Sequence, residues 1–367
     1  MQKLLFSIGI IAVCCLSSIV DAKCPCNDPN DCNRITTDWK TNQTIGYLLE
    51  SNETIWSTFK WNKLTIISLI DFHQPKLMCL AHHNKIRIMA FGNFTLNDLS
   101  SSDKMNKWIE YRLKEAQDNF YDGINLFIDD PVEPNSTFSQ RITDFISLTT
   151  KRFHQELPGS IVLFNAPFSP KNEKGKGVDG KNYDYVAISK SVDLMVAMEF
   201  DQRSQSFDEP KCLAGAPESL YITIGSLMAY KNIGVNLNRM IMALGFYVDE
   251  YLCVEYHQNY RCIIESYNYR GANCSSKVAN RIPWNVFERI DRQCWREVWD
   301  EHSNHDIYTF LDNSIYGQVK QYWTDNLGIF KKIRLINENQ MSGIGVWMLN
   351  YLDDKTWFQL PQRQQQA

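Results

Sequence analysis

The hydrophobic positions of this chain fall into eight short, continuous runs, and longer stretches with a helical spacing of apolar residues separate several of them. Continuous runs of β-branched and aromatic residues are typical of parallel strands that are buried on both faces. Apolar residues three and four positions apart are typical of helices that pack on such strands. We predict strands at 44–49, 65–72, 85–92, 123–129, 160–167, 192–200, 240–247 and 343–349, and the two clearest helices at 105–120 and 138–157.

Eight strands with helices between them predict an α/β fold of the TIM (β/α)8 barrel type. A doubly wound open sheet is the alternative, and the absence of a glycine-rich nucleotide turn favours the barrel. The regular spacing is broken between strands seven and eight, where residues 248–342 are far more than a helix and a loop require. This segment holds Cys253, Cys262, Cys274 and Cys294, so we predict a disulfide-rich excursion from the barrel.

The first 22 residues have the features of a secretory signal peptide. Lys3 precedes an apolar run at 4–15, and Ala22 ends a possible cleavage site. The run is shorter than the roughly 20 residues that span a bilayer. We therefore expect a signal peptide at 1–22, a single barrel domain at 23–367, and no membrane attachment after cleavage.

Sequons and cysteines agree with a secretory route that ends in the lysosome or outside the cell. Glycosylation sequons begin at five positions, which are Asn42, Asn52, Asn93, Asn135 and Asn273. Of the 11 cysteines, two lie in the signal peptide, and an odd number follows it. Most should pair in an oxidising compartment. We expect Cys79, in an apolar stretch, to be the free thiol.

The bulk composition excludes some classes of partner. The net charge is −4, and no basic stripe is present that could neutralise nucleic-acid phosphates. The histidines and cysteines lack the paired spacing of a zinc site. We expect a monomer with no metal and no cofactor.

The chemistry of a barrel lies at the carboxyl ends of its strands, and the fourth strand carries the most informative residues. Side chains alternate along a strand, so Asn125, Phe127 and Asp129 share one face. The apolar residues between them suit the opposite face, under the helices. We expect the first set to point into the barrel, with Asp129 nearest the mouth.

Residues 122–129 (Asp-Gly-Ile-Asn-Leu-Phe-Ile-Asp) resemble in frame the strand motif Asp-Gly-x-[Asp/Asn]-x-Asp-x-Glu of glycoside hydrolase family 18. Asp122, Gly123 and Asn125 match the motif. Phe127 stands where the family has an aspartate, and Asp129 stands where it has the glutamic acid. Other segments resemble the chitobiase-like branch of the family and span nearly all the mature chain; they are 24–32, 77–82, 169–172, 200–205, 253–262, 269–275 and 343–347.

The resemblance implies a mechanism in which the substrate's own N-acetyl group attacks the anomeric carbon. The glutamic acid protonates the leaving oxygen, the aspartate orients the acetamide, and a tyrosine donates a hydrogen bond to it. Phe200 stands at this tyrosine position. Electrostatic groups of this kind are worth about 10²–10³-fold each. We therefore predict that hydrolysis is lost or strongly reduced.

Two other readings remain open. The chain could be an active glycosidase that cleaves N-acetylglucosamine β-1,4 linkages, with Asp129 as an acid whose pKa Phe127 raises by desolvation. Asp130 or Glu133 could replace the acid, although Asp130 and Glu199 face the wrong side by alternation. The chain could also be a secreted interaction protein that binds no sugar.

The resemblance also implies a binding site for N-acetylglucosamine oligosaccharides, either chitin oligomers or the chitobiose core of N-glycans. Aromatic faces suit the C–H side of a pyranose, and polar neighbours suit its hydroxyls. The expected substrate-binding residues are Asp122, Asn125, Asp201, Tyr247 and Trp347. Asn165 and Phe168 differ from the chitobiase pattern, so the rim of this site has changed as well.

Overall fold

The computed structural model describes residues 23–36, 42–50, 52–207, 210–257, 261–312, 318–324 and 328–362. The predicted signal peptide lies outside these residues. Within them, no helix combines the length and the apolarity needed to cross a lipid bilayer.

The described residues form the following strands and helices. The strands are β1 (Gln43–Leu48), β2 (Ile66–Leu69), β3 (Arg87–Asn93), β4 (Gly123–Phe127), β5 (Ile161–Pro167), β6 (Leu194–Met198), β7 (Met240–Gly245), β8 (Tyr247–Cys253), β9 (Glu255–Tyr256), β10 (Cys262–Ile263), β11 (Asn280–Pro283), β12 (Arg296–Asp300), β13 (His305–Asp312), β14 (Gln318–Thr324) and β15 (Gly343–Trp347). The α-helices are α1 (Glu53–Trp56), α2 (Pro75–His83), α3 (Ser102–Asp118), α4 (Thr137–Glu156), α5 (Tyr185–Ser191), α6 (Leu220–Ile233), α7 (Trp284–Phe287), α8 (Gly328–Glu338) and α9 (Asp354–Gln359).

Eight of the strands close into a parallel barrel in the order β1-β15-β7-β6-β5-β4-β3-β2. Each of the eight predicted strands overlaps one of them, so the TIM-barrel prediction is confirmed. The closed barrel puts the carboxyl ends of all eight strands around a single mouth.

The apolar runs divide between two hydrophobic layers because side chains alternate along each strand. On β4, Ile124 and Leu126 pack in the layer between barrel and helices. On neighbouring strands, Met89, Leu163 and Val196 fill the inside of the barrel. Burying each of these side chains is worth about 1.5–3 kcal/mol, which stabilises the strands from both faces.

The two predicted helices are α3 and α4, and both begin with a serine cap. Ser101 accepts a hydrogen bond from the backbone of Lys104, and Ser136 accepts one from the backbone of Phe138. Such caps satisfy amide groups that have no partner within the helix and are worth about 1 kcal/mol each. The observed helices begin slightly earlier than the predicted ones because apolar periodicity does not record the polar first turn.

The chain between β7 and β15 forms a second layer of structure beside the barrel mouth. A five-stranded antiparallel sheet has the order β11-β8-β14-β13-β12, and β9 pairs with β10. The Cys253–Cys262 disulfide closes a short loop within this segment, and Cys212–Cys274 ties it to the chain that follows β6.

The prediction that Cys79 is the free thiol is wrong. Cys79 forms a disulfide with Cys26, and Cys24 pairs with Cys32. Cys79 lies on α2, and other residues of that helix form its buried face. Apolar neighbours in the sequence therefore did not show that the Cys79 thiol faces Cys26. Cys294 is the free cysteine among the described residues, and it is exposed.

Candidate active site

Aromatic rings form the floor of the barrel mouth. Phe127, the last residue of β4, lies 5.4 Å from Phe91 of β3, measured between ring centroids. Across the mouth, Trp347 at the end of β15 lies 5.2 Å from Tyr47 and stacks on Phe200 at 5.2 Å. These rings come from strands that are distant in sequence, and the closed barrel brings them together.

A neutral polar network lies inside the barrel beneath the rings. Asn125 donates a hydrogen bond to the hydroxyl of Ser68 at 3.2 Å, and its own carbonyl accepts one from Asn165 at 2.7 Å. The Tyr47 hydroxyl donates to the Asn165 carbonyl. Burial raises the pKa of Tyr47, so this hydroxyl stays protonated. The network therefore places amides and hydroxyls below Phe127, and among the described residues its members are neutral.

Asp129 lies just beyond β4 and is held by two cations. Its carboxylate is 2.8 Å from Lys181 Nζ and 3.0 Å from Arg270 Nη2. Partial burial by itself would raise the pKa of this carboxyl, but Lys181, Arg270 and Lys277 outweigh burial, so the pKa lies below its usual value. The expectation that Phe127 would raise the Asp129 pKa is therefore wrong, because the sequence did not show these cations.

Lys181 and Arg270 are site residues that the sequence did not indicate. The Lys181 side chain is only 8% exposed, and its Nζ lies 5.3 Å from the centroid of the Phe127 ring. Arg270 also donates to the backbone carbonyl of Asp179 at 2.6 Å. Both cations lie on loops far from β4 in sequence, so no spacing or periodicity indicated their approach to Asp129.

A second charged cluster lies on the opposite side of the mouth. The Tyr247 hydroxyl donates to Asp201 at 2.5 Å, and Arg281 forms an ion pair with the same carboxylate. The Arg281 guanidinium lies 3.8 Å from the centroid of the Tyr247 ring. Asp201 and Tyr247, two residues expected in the site, thus contact each other directly and share Arg281, which the sequence did not indicate.

Asp249 lies behind this cluster and is buried. Burial raises the pKa of Asp249 to about 7, Arg281 opposes that rise, and Asp201 adds to it. Arg281 Nε is 3.8 Å from the Asp249 carboxylate. The charge on this side of the mouth therefore changes near neutral pH.

Two of the three other acids near the acid position, Asp130 and Glu199, are held by contacts within the fold. Asp130 accepts a hydrogen bond from the backbone amide of Leu96 at 2.6 Å, which holds it on the loop after β3. Glu133 is exposed on the loop after β4. Glu199 is fully buried outside the barrel wall, where burial and the neighbouring Glu218 raise its pKa.

Asp122 lies away from the other expected site residues. It precedes β4, at the opposite end from the mouth, and its side chain is fully buried. Its carboxylate accepts hydrogen bonds from the backbone amides of Ile35 and Ile88, both at 2.7 Å, and lies 2.9 Å from His82 Nε2. The expectation that Asp122 binds substrate does not fit this position, because all of its contacts are made within the fold.

The described residues contain one candidate group of metal ligands. Among the described residues, the potential metal ligands that cluster within 4.8 Å of one another are Cys24, Cys26 and Cys32. All three are in disulfides, so they cannot act as thiolate ligands.

Comparison with known proteins decides the family. The model of glycosyl hydrolases family 18 matches residues 29–351. This chain belongs to that family. The chain is 28% identical over 334 residues to human di-N-acetylchitobiase, covering 90% of this chain and 83% of the human protein. It is 26% identical over 334 residues to the rat di-N-acetylchitobiase, covering 90% and 87%.

Solved structures show the same fold at low sequence identity. The structure of a family 18 N-acetylglucosaminidase from Paenibacillus barengoltzii superposes with a TM-score of 0.65 and 15% identity, covering 87% of this chain and 99% of that one. The barrel fold is therefore shared with this structure although few residues are identical.

Proposed function

We propose that this family 18 protein binds N-acetylglucosamine oligosaccharides, either chitin oligomers or the chitobiose core of N-glycans, and has lost hydrolysis or keeps only a small part of it. The chitobiase name of its relatives supports the sugar class. One observation carries the loss of hydrolysis: the carboxyl at the acid position is ion-paired to both Lys181 and Arg270.

A general acid must hold a proton at the working pH. The two cations stabilise Asp129 as a carboxylate and keep its pKa below the usual value. To protonate a leaving glycosidic oxygen, Asp129 would first have to leave both ion pairs. The residue is also one methylene shorter than a glutamic acid, and misplacement on the scale of about 1 Å can cost on the order of 10²-fold in rate.

The groups that would stabilise the reacting acetamide are also missing. Substrate-assisted hydrolysis develops positive charge on the acetamide-derived ring, which an adjacent carboxylate would stabilise. Phe127 offers a ring there, and the cation next to that ring, Lys181, has the wrong sign. Phe200 packs its ring on Trp347 and has no hydroxyl to donate.

Binding does not need these catalytic groups. The mouth combines aromatic rings with charged side chains that can donate to and accept from sugar hydroxyls, as Arg281 and Asp201 do for each other. This mixture of apolar faces and a few directed polar groups is typical of carbohydrate sites.

Delivery through the secretory pathway to the lysosome or the cell exterior also belongs to this proposal. It is supported by the disulfides of the described residues, which are typical of proteins folded in an oxidising compartment.

Two measurements on the purified protein test the proposal. Isothermal titration with chitobiose and chitotriose should give saturable binding. A fluorogenic chitobioside should show little or no turnover between about pH 4 and pH 7, because the lowered pKa of Asp129 disfavours the protonated form that a general acid needs. Rapid turnover that Asp129→Asn abolishes would establish an active glycosidase instead. Absence of binding to either sugar would leave an interaction protein without a sugar site.

A further inference from the structure

One glycosylation sequon lies at the barrel mouth itself. Asn93 is the last residue of β3, and in the parallel ladder it lies opposite Phe127 of β4. The next residue, Phe94, donates its backbone N–H to the carbonyl of Phe127 at 3.0 Å. Adjacent strands lie about 4.8 Å apart, so Asn93 borders the aromatic floor.

The alternation of β3 sets the direction of the Asn93 side chain. Met89 and Phe91 pack inside the barrel, whereas Ile88 and Ala90 pack against the helices. Asn93 shares the face of Met89 and Phe91. The residue is exposed, and within the described part of the chain no hydrogen bond to its side-chain amide is found. The amide is therefore presented over the mouth and open to solvent.

Asn93 begins the sequon Asn93-Phe94-Thr95. We propose that Asn93 carries an N-linked glycan whose first N-acetylglucosamine units lie against Phe127 and obstruct the mouth to free oligosaccharides. The inference rests on the proposed sugar binding, because the attached sugar belongs to the same chemical class as the ligand proposed for this mouth. The glycan thus regulates the site that it borders.

The attachment step needs one co-reactant, a lipid-diphosphate-linked oligosaccharide of the secretory pathway. The Asn93 amide nitrogen forms a bond to the anomeric carbon of the first N-acetylglucosamine. The bond from that carbon to the diphosphate oxygen breaks, and the lipid diphosphate leaves with the electron pair. The amide nitrogen loses one proton. Attachment precedes folding, so the structure needs only to leave the modified side chain exposed, as it does at Asn93.

A tethered sugar competes strongly because its effective concentration is high. Short flexible tethers give effective concentrations of about 1 mM. If tethered and free sugars both bind with a Kd of about 0.1 mM, the glycan weakens the apparent affinity for free oligosaccharide by about 10-fold.

The test uses the full chain secreted from glycosylating cells. Glycopeptide mass spectrometry measures occupancy at Asn93, and isothermal titration with chitotriose measures Kd. Asn93→Gln and Thr95→Ala remove the sequon through different residues. Thr95→Ser keeps the sequon and is the matched control. Asn42→Asp removes an exposed sequon that precedes β1, at the far end of the barrel, with a residue that tolerates its left-handed backbone (φ 56°).

We expect Asn93 to be occupied, and both sequon-removing variants to bind chitotriose about 10-fold more tightly than wild type. Thr95→Ser and Asn42→Asp should bind as wild type does. An unoccupied Asn93, or equal Kd values in all forms, would overturn the inference and leave the proposed function standing. If neither the wild type nor any variant binds, the proposed sugar binding fails and this inference fails with it.

Discussion

Two aspartates stand at the two ends of β4, and their surroundings differ in every respect. Asp122, before the strand, is fully buried and accepts from two backbone amides while it pairs with His82. Asp129, beyond the strand, keeps 55% of its side chain exposed and meets two long cations from distant loops. The first carboxylate is enclosed by the fold, and the second lies at an open surface.

This contrast separates two kinds of motif residue. Groups at the amino-terminal end of a barrel strand serve stability, and groups at the carboxyl end serve function. Asp122 holds the backbone of two segments, at Ile35 and Ile88, and contacts the His82 side chain, so its role lies in the fold. Phe127 and Asp129 lie at the carboxyl end of β4, where the resemblance predicts that the chain departs from the family motif.

Replacing aspartate by asparagine at either end of β4 tests the contrast between Asp122 and Asp129. Asp122→Asn should lower the free energy of unfolding the most. The new amide would place an N–H group against an existing donor, either the Ile88 amide or His82. Breaking a buried charge pair costs about 3–5 kcal/mol of unfolding free energy. Urea denaturation measures this loss. The exposed Asp118, paired with Lys114 on α3, provides a control that should lose less than about 1 kcal/mol as Asp118→Asn. A loss of similar size in both variants would contradict the structural role of Asp122.

At the mouth, restoring the family residues should restore chemistry. The triple variant Phe127→Asp, Asp129→Glu and Phe200→Tyr supplies the missing anion, the longer acid and the hydroxyl. Each group is worth about 10²–10³-fold, although groups that act as a unit do not add. We expect chitobioside turnover to rise by at least about 10²-fold over wild type. The double variant that keeps Phe127 is the control, and equal turnover in both would show that the position of Phe127 does not limit the reaction.

The sequence predicted more of the barrel than of its mouth. Continuous apolar runs marked all eight barrel strands because parallel strands are buried on both faces. Alternation also placed Asn125 and Phe127 inside the barrel. The same alternation puts Asp122 on the outward face with Ile124, and Asp122 lies at the end of the strand away from the mouth. The sequence therefore already indicated that Asp122 does not face substrate, but the match to the family motif led to the opposite expectation.

The charged partners of the site could not be predicted in this way. Lys181, Arg270 and Arg281 reach the mouth from loops and from the second sheet, and tertiary folding alone brings them near Asp129 and Asp201. Because their positions have no period, the sequence left open the alternative that Phe127 raises the pKa of Asp129. In the structure, Lys181 and Arg270 lower that pKa.

Removing a ring from the aromatic floor should weaken sugar binding, with a smaller effect than the two changes above. Trp347→Ala removes a ring that lies between Tyr47 and Phe200. Aromatic contacts are worth about 0.5–1.5 kcal/mol beyond buried area, so the Kd for chitotriose should rise by about 10-fold. Trp299, an exposed tryptophan on β12, is the matched control, and Trp299→Ala should leave Kd unchanged. Equal effects of the two variants would place the sugar elsewhere.

Asp129→Asn should have the smallest effect on stability. A carboxyl whose pKa is lower in the folded than in the unfolded chain stabilises the fold above the unfolded pKa, and it loses this contribution as the pH falls through the folded pKa. Because Asp129 is largely exposed, solvent screening should limit the loss of unfolding free energy in Asp129→Asn to about 1 kcal/mol near pH 7. This difference in unfolding free energy between wild type and variant should shrink as the pH falls from about 5 to about 3. Urea denaturation at several pH values measures it. A loss of about 3 kcal/mol or more of unfolding free energy at pH 7 would make Asp129 a structural residue like Asp122. The presence of this carboxylate at the mouth would then be explained by fold stability, and it would not be evidence of a ligand site.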